Sequence, residues 1–303
     1  MGRTAYATGT AHPGYASPLR GGVVIHVLRP GLLSTIQDLG RTGLASLAVP
    51  RSGAADRDAL RLGNRLVGNP EELAGIETTV LGADFRFDSA CWVAVTGALC
   101  GVRVDGRPSH VDRPVFVPAD GVLSLGAALD GVRSYLAVAG GIAVEPVLGS
   151  RSTDTLSGLG PPRLAVGDLL PLGTAFGVPA EVDWTPRSRA PAAVRLLLGP
   201  RDDWIDLTAL GDYVVTSASD RVGVRLRGPA LARTRTEEIP SEGMLPGAVQ
   251  VPPDGQPVIM LADHPTTGGY PVVGVVHPAD LGLVAQARPG AVLRFELSRR
   301  SRS

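Results

Sequence analysis

Apolar runs of four to eight residues, each closed by glycine or proline, recur along almost the whole chain and limit what it can fold into. "GVVIHVL", "DFRF", "CWVAVTG", "GVRV", "PVFVP", "SYLAVAG", "VRLLLG", "YVVT", "VGVRLRG", "PVIMLA", "VVGVV" and "VLRFEL" are the clearest. Segments this short suit strands, and 39 Gly with 26 Pro in 303 residues supply the turns between them. The expected fold class is mainly β, a barrel or sandwich with a few accessory helices rather than alternating βα units. One helix interrupts the pattern in "SGAADRDALRLGNRLVGNPEE". Ser52 is placed to cap it, Asp56 and Asp58 sit in its first turn, and Ala59, Leu62, Leu66 and Val67 form its apolar stripe. Gly68-Asn69-Pro70 then ends it, and a shorter helical turn is expected in "RDDWIDLTAL".

A chain of 303 residues suits two domains. "ADGVLSLG", "AVGDLLPLG" and "RPGAVLRFE" each put a glycine turn before a short alternating strand, an echo in which the second and third close two similar barrels. "GVPAEVDWTPRSRAPAA", Gly177 to Ala193, has no periodicity and reads as the linker. The expected division is a loose leader over residues 1–21, a first domain over 22–187 and a second over 188–298.

The charges balance to a formal net of +0, so no positive field draws nucleic acid or an anionic membrane. No apolar run reaches the ~18–20 residues of a spanning helix, and a cytoplasmic protein with reduced thiols is expected. Cys91 and Cys100 flank "WVAVTGAL", and an offset of nine in extended backbone directs them to opposite faces, against a disulfide or shared metal. The five histidines have no metal-ligand spacing, so no metal site is assigned. GxSxG, HExxH, CxxC and phosphate-loop motifs are absent. The chain also contains no lysine, so it carries neither a biotinyl-lysine nor a pyridoxal Schiff base.

Three stretches concentrate polar chemistry. In "LADHPTTGGYP", Asp263 and His264 diverge in extended backbone and cannot pair with each other. Thr266, Thr267 and the backbone N–H groups near Gly268 and Gly269 can cradle a ligand oxygen, although the letters equally fit a hairpin turn with satisfied hydroxyls. In "LGSRSTDTLSG", Ser150, Arg151, Ser152, Thr153 and Asp154 combine hydroxyls with a guanidinium suited to an oxyanion, or make a capped polar turn. In "LSTIQDLGRTG", Gln37 and Asp38 can hydrogen-bond a small amide or cap a loop. "SDRVGVRLRG" alternates Val222, Val224 and Leu226 with Arg221, Gly223, Arg225 and Arg227, which reads as a strand with a solvated arginine face or a protein interface.

"LRPGLLSTIQDLGRTG", "SGAADRDALRLGNRLVGN", "YLAVAGGI" with "LGSRSTD", "GPRDDW", "SDRVGVRLRG", "SEGMLPGAVQVPPDGQPVIMLADHPTTGGYP" and "AQARPG" together resemble one family, in order from about Leu28 to Arg294. It comprises the allophanate hydrolase subunit 2 proteins, also described as the C component of 5-oxoprolinase, the kinase-inhibitor antagonists, and the biotin-dependent carboxyltransferase-like domain of urea amidolyase. The resemblance implies two cyclophilin-like β-barrel units. It also implies a hetero-oligomer with a partner of the allophanate hydrolase subunit 1 type, the B component of 5-oxoprolinase.

It further implies a role in a hydrolase complex that uses ATP to process a small amide or lactam. Alternatives within the family are a carboxyltransferase component taking a carboxyl group from carboxybiotin on another chain, or a non-catalytic antagonist of a kinase inhibitor. By the same resemblance Asp263, Thr267 and Tyr270 are the expected catalytic set, with Asp263 as proton acceptor or amide-orienting group. Gln37, Asp38, Ser150, Arg151, Ser152, Thr153, Asp154, His264, Thr266, Gly268 and Gly269 are expected around the substrate.

Overall fold

A computed structural model describes residues 23–182, 185, 193–235 and 237–298, and the leader and the 187/188 boundary expected from the sequence lie outside them. The chain forms two compact units, neither of them continuous in sequence. The first takes the residues up to Asp38, Ala59–Thr153 and Gly160–Thr185. The second takes Leu39–Asp58, Asp154–Leu159 and the residues from Pro186 onward. Two segments that interrupt the first unit in sequence, Leu39–Asp58 and Asp154–Leu159, thus belong to the second unit.

The first unit contains β1 (Val24–Arg29), β2 (Leu33–Gln37), β3 (Gly75–Thr79), β4 (Asp84–Phe87), β5 (Cys91–Val104), β6 (Arg107–Ser109), β7 (Pro114–Val117), β8 (Val122–Val138) and β9 (Leu169–Pro171). They form a nine-stranded sheet in the order β2-β3-β8-β4-β1-β9, with β5 pairing β6, β7 and β8. Its hydrophobic cluster includes Ile25, Ile76, Phe85, Phe87, Leu123 and Leu136, all excluded from solvent. Helix α1 (Arg57–Leu66) starts five residues after Ser52, so Ser52 is not its cap. From Ala59 onward α1 lies on β5 and β8: the Ala59 carbonyl accepts from Thr96 Oγ1 at 2.7 Å, and Leu66 and Val67 pack on Ala94 and Ala137. Asn69 donates to Asn64 Oδ1 and to the Val138 carbonyl, which fixes the helix stop against β8.

Cys91 and Cys100 are free thiols, but they do not face opposite ways. Three register irregularities between Gly97 and Val102 reverse the alternation of β5, so both cysteines pack on the same core. Burial pushes the Cys91 thiol up to about 12.

The second unit contains β10 (Ala193–Leu198), β11 (Asp212–Val215), β12 (Gly223–Arg227), β13 (Glu242–Gly243), β14 (Ala248–Gln250), β15 (Val258–Met260), β16 (Thr267–Gly268), β17 (Val272–Val276), helix α2 (Leu281–Gln286) and β18 (Val292–Leu297). Seven strands close a barrel in the order β10-β17-β14-β15-β12-β11-β18, and β13 pairs β16 as a separate ribbon. The "RPGAVLRFE" strand is the closing one, parallel to β10 and antiparallel to β11, which leaves the barrel no free edge. β11 and β12 alternate buried and exposed residues as a half-solvated strand must. Tyr213 and Phe295 meet edge to face inside, with ring centroids 5.8 Å apart. The "RDDWIDLTAL" segment forms two short 3₁₀ turns, Asp202–Trp204 and Leu207–Ala209. No helix among the described residues is long and apolar enough to cross a membrane.

Candidate functional site

The candidate residues divide between the two units, and each group is built locally. In the first unit the Ser150–Thr153 turn is fastened to the end of β2. Ser150 Oγ donates to Asp38 Oδ1 at 2.7 Å, Arg151 N–H donates to Oδ2 at 2.6 Å, and Ser152 Oγ donates to Oδ1 while accepting from the Asp38 N–H at 3.1 Å. Gln37 Nε2 donates to Thr35 Oγ1 and to the Thr153 carbonyl, and its Oε1 is buried without a hydrogen bond. Arg151 Nε donates to the Val144 carbonyl at 2.6 Å, so only its Nη groups retain donors for another partner. Asp38, Ser150 and Ser152, expected around a substrate, bind one another and set the shape of the turn.

In the second unit β12 and β15 continue past their last paired residues. Leu261 N–H donates to the Val222 carbonyl and Asp263 N–H donates to the Arg221 carbonyl at 3.0 Å. This extension places Arg221 beside Asp263. The solvated face expected of Arg221 is therefore corrected: its side chain is 2% exposed, whereas Arg225 and Arg227 on the same strand are exposed. Arg221 Nε donates to Asp263 Oδ2 at 2.8 Å and Nη2 to Oδ1 at 2.9 Å, a bidentate pair. Ser52 Oγ donates to Oδ1 at 2.9 Å, and Thr155 donates to Oδ2 through both N–H, at 3.0 Å, and Oγ1, at 2.6 Å.

Five donors thus meet one carboxylate with no solvent exposure. Burial raises its pKa, but the Arg221 charge and the Arg221 and Thr155 hydrogen bonds outweigh burial and hold Asp263 below the ordinary carboxylate range. A carboxylate so stabilised in its charged form is a weak proton acceptor. The basic role expected of Asp263 gives way to a positioning role, in which it ties the loops carrying Ser52 and Thr155 to the end of the barrel.

Ser52 is held with φ 54°, uncommon for a residue with a Cβ, and Gly53 follows at φ 97°. A Cβ on Gly53 would lie 2.9 Å from Gly40 N, so only glycine fits there. Arg221 Nη2 donates to the Gly53 carbonyl at 2.7 Å, which joins this strained pair to the same hub.

Beyond Asp263 the "LADHPTTGGYP" stretch changes character. His264 is 4% exposed; its Nδ1 lies 2.7 Å from the Pro265 carbonyl and its Nε2 is buried with no hydrogen bond. Thr267 and Gly268 form β16 against Gly243 and Glu242. A Cβ on Gly268 would meet Gln250 Nε2 and Met244 Cε at 2.5 Å, so this glycine permits close packing, whereas Gly269 has open space. Thr266 accepts from Met244 N–H through its carbonyl, and Tyr270 is 46% exposed. The stretch is a turn and a ribbon hung from a buried ion pair.

Sequence pattern did not mark Arg221, Ser52 or Thr155 as partners of Asp263. Arg221 and Asp263 lie 42 residues apart and Thr155 and Asp263 108 apart, so only the folded ladder shows the pairing.

A nine-stranded sheet and a closed barrel define a mainly β protein. Residues 47–297 match the family model "Carboxyltransferase domain, subdomain A and B", and the chain belongs to that family. It is 36% identical over 280 residues to the C component of 5-oxoprolinase from Escherichia coli, covering 90% of each chain. It is 32% identical over 307 residues to urea amidolyase of Saccharomyces cerevisiae, covering 89% of this chain but 16% of that protein. The crystal structure of TTHA0988 superposes with TM-score 0.84 at 35% identity, covering 92% of this chain and 56% of the other. The chain therefore spans little more than half the length of that solved relative.

Proposed function

We propose that the chain is the C-type component of an ATP-dependent complex that processes a small amide or lactam, with 5-oxoproline as the substrate. One observation carries this reading: the similarity to the C component of E. coli 5-oxoprolinase runs over 90% of both chains. Similarity to urea amidolyase covers a small fraction of a much longer protein, so it supports the shared domain more than the shared reaction. The absence of lysine adds chemistry: a carboxybiotin route would require the biotin on another polypeptide.

In this reading a protein of the allophanate hydrolase subunit 1 type, the B component, is the partner, and ATP is used by the complex. Asp263 positions the Ser52 and Thr155 loops, while Thr267, Tyr270 and Gly269 contribute the exposed face of the site. Replacing the C component of E. coli 5-oxoprolinase by this chain tests the reading. Restored growth on 5-oxoproline as nitrogen source, and loss of that growth when the gene for the B component is also removed, are the expected results. Failure of a well-expressed chain to restore growth would favour a different reaction for the complex.

A further inference from the structure

The ribbon of β13 and β16 stands apart from the barrel strands of the second unit, as a sheet of its own with two residues to each strand. Glu242 lies opposite Gly268 and Gly243 opposite Thr267, and Met244 N–H donates to the Thr266 carbonyl at 2.9 Å. A ladder this short is marginal by itself, so its place depends on the side chains that fasten it. One fastening is the packing of Gly268, where a Cβ would lie 2.5 Å from both Gln250 and Met244. The second is Glu242, whose carboxylate accepts from Arg201 Nη2.

Arg201 is itself held in place. Its guanidinium lies 5.1 Å from the centre of the Trp204 ring, and that of Arg235 lies 5.6 Å from the same ring. Trp204 is 8% exposed, and its turn is tied down by Thr234, whose N–H donates to the Trp204 carbonyl at 2.9 Å and whose hydroxyl donates to the Asp203 carbonyl at 2.7 Å. Arg235 also pairs with Asp203. A guanidinium stacked on a fixed aromatic ring has less freedom to lose when it binds a carboxylate. "GPRDDW" and "SEGM" thus meet through Arg201 and Glu242, 41 residues apart.

We infer that Arg201 and Glu242 are positioning residues for the face that Thr267, Gly269 and Tyr270 present. The ion pair fixes β13, the ladder fixes β16 to β13, and Thr267, Gly269 and Tyr270 are exposed on and beyond β16. Both residues act through the ribbon rather than on the substrate. The use of this face for 5-oxoproline rests on the proposed function, whereas the fastening of the ribbon does not.

Hydrogen exchange read by mass spectrometry on the full chain tests the fastening. Arg201→Met removes both the pair and the cation over Trp204, and should make exchange around Glu242–Met244 and Thr266–Tyr270 about 5-fold faster, the effect of losing one partly buried ion pair and one cation–π contact. Glu242→Gln should act on the same segments to a smaller extent, and Arg201→Lys, which keeps the charge, should retain most of the protection. Arg294→Ala breaks the exposed Asp212–Arg294 pair of β11 and β18 and should leave the ribbon unchanged. Turnover in the complex with the A and B components tests the positioning. A ribbon that is in place for less of the time lowers apparent affinity by that fraction, so Arg201→Met should raise KM for 5-oxoproline about 2-fold or more, with kcat and the KM for ATP unchanged.

Unchanged ribbon exchange in both Arg201→Met and Glu242→Gln, or faster exchange spread evenly over the whole second unit, would overturn the inference. A looser ribbon with unaltered KM for 5-oxoproline in a working complex would overturn the positioning role and leave the proposed function standing. A wild-type complex that assembles but does not turn over 5-oxoproline would defeat the proposed function and with it the role toward that substrate, while the exchange result still decides whether the pair fastens the ribbon.

Discussion

At Asp263 a single carboxylate receives five hydrogen bonds out of contact with water, and removing its charge leaves Arg221 buried without that counter-ion. Asp263→Asn should therefore cost about 3–5 kcal/mol in urea denaturation, while Asp263→Leu combined with Arg221→Met should cost less than the single change. The pH dependence has a definite sign. Both Asp263 and His264 titrate lower in the fold than in the open chain, so each stabilises the fold above its unfolded value and loses that contribution as pH falls. His264 acts first, below the ordinary histidine value of about 6.5, and Asp263 below the carboxylate range. Thermal melts from pH 7 to 3 should show both declines, and His264→Gln should flatten the upper one alone. Gly268→Ala forces a Cβ to 2.5 Å from Gln250 and Met244 and should destabilise by about 1–3 kcal/mol, whereas Gly269→Ala meets no atom and should be neutral.

The elements show where sequence pattern is informative. Periodicity locates strands because alternate burial repeats within a few residues, so β11, β12 and β18 follow the expected runs. It also locates the body of α1, yet misplaces its cap, because Ser52 answers to a carboxylate 211 residues away. Arg221 reads as solvent-facing for the same reason: alternation places it with Arg225 and Arg227, and only the extension of the β12–β15 ladder to Asp263 buries it. In β5, irregular register turns two cysteines expected on opposite faces onto one core. With the Cys91 thiol raised to about 12 by burial, both cysteines of the native protein should resist iodoacetamide at pH 8 and react once the fold is opened in denaturant. Rapid alkylation of the folded chain would contradict the packing of β5.

For the whole molecule, the family and the mainly β architecture were legible because strand-length runs and the ordered motifs span most of the chain. The candidate site was legible only in part: "LADHPTTGGYP" contains Asp263, but the partners that bury this carboxylate, Arg221, Ser52 and Thr155, lie far away in sequence. That this chain completes a 5-oxoproline-processing complex is tested most directly by ATP hydrolysis. The purified chain is combined with the A and B components of E. coli 5-oxoprolinase, in the presence of 5-oxoproline or of urea. ATP hydrolysis coupled to glutamate release with 5-oxoproline, dependent on this chain and absent with urea, is the predicted result. No stimulation by 5-oxoproline in a correctly assembled complex, or stimulation by urea instead, would contradict it.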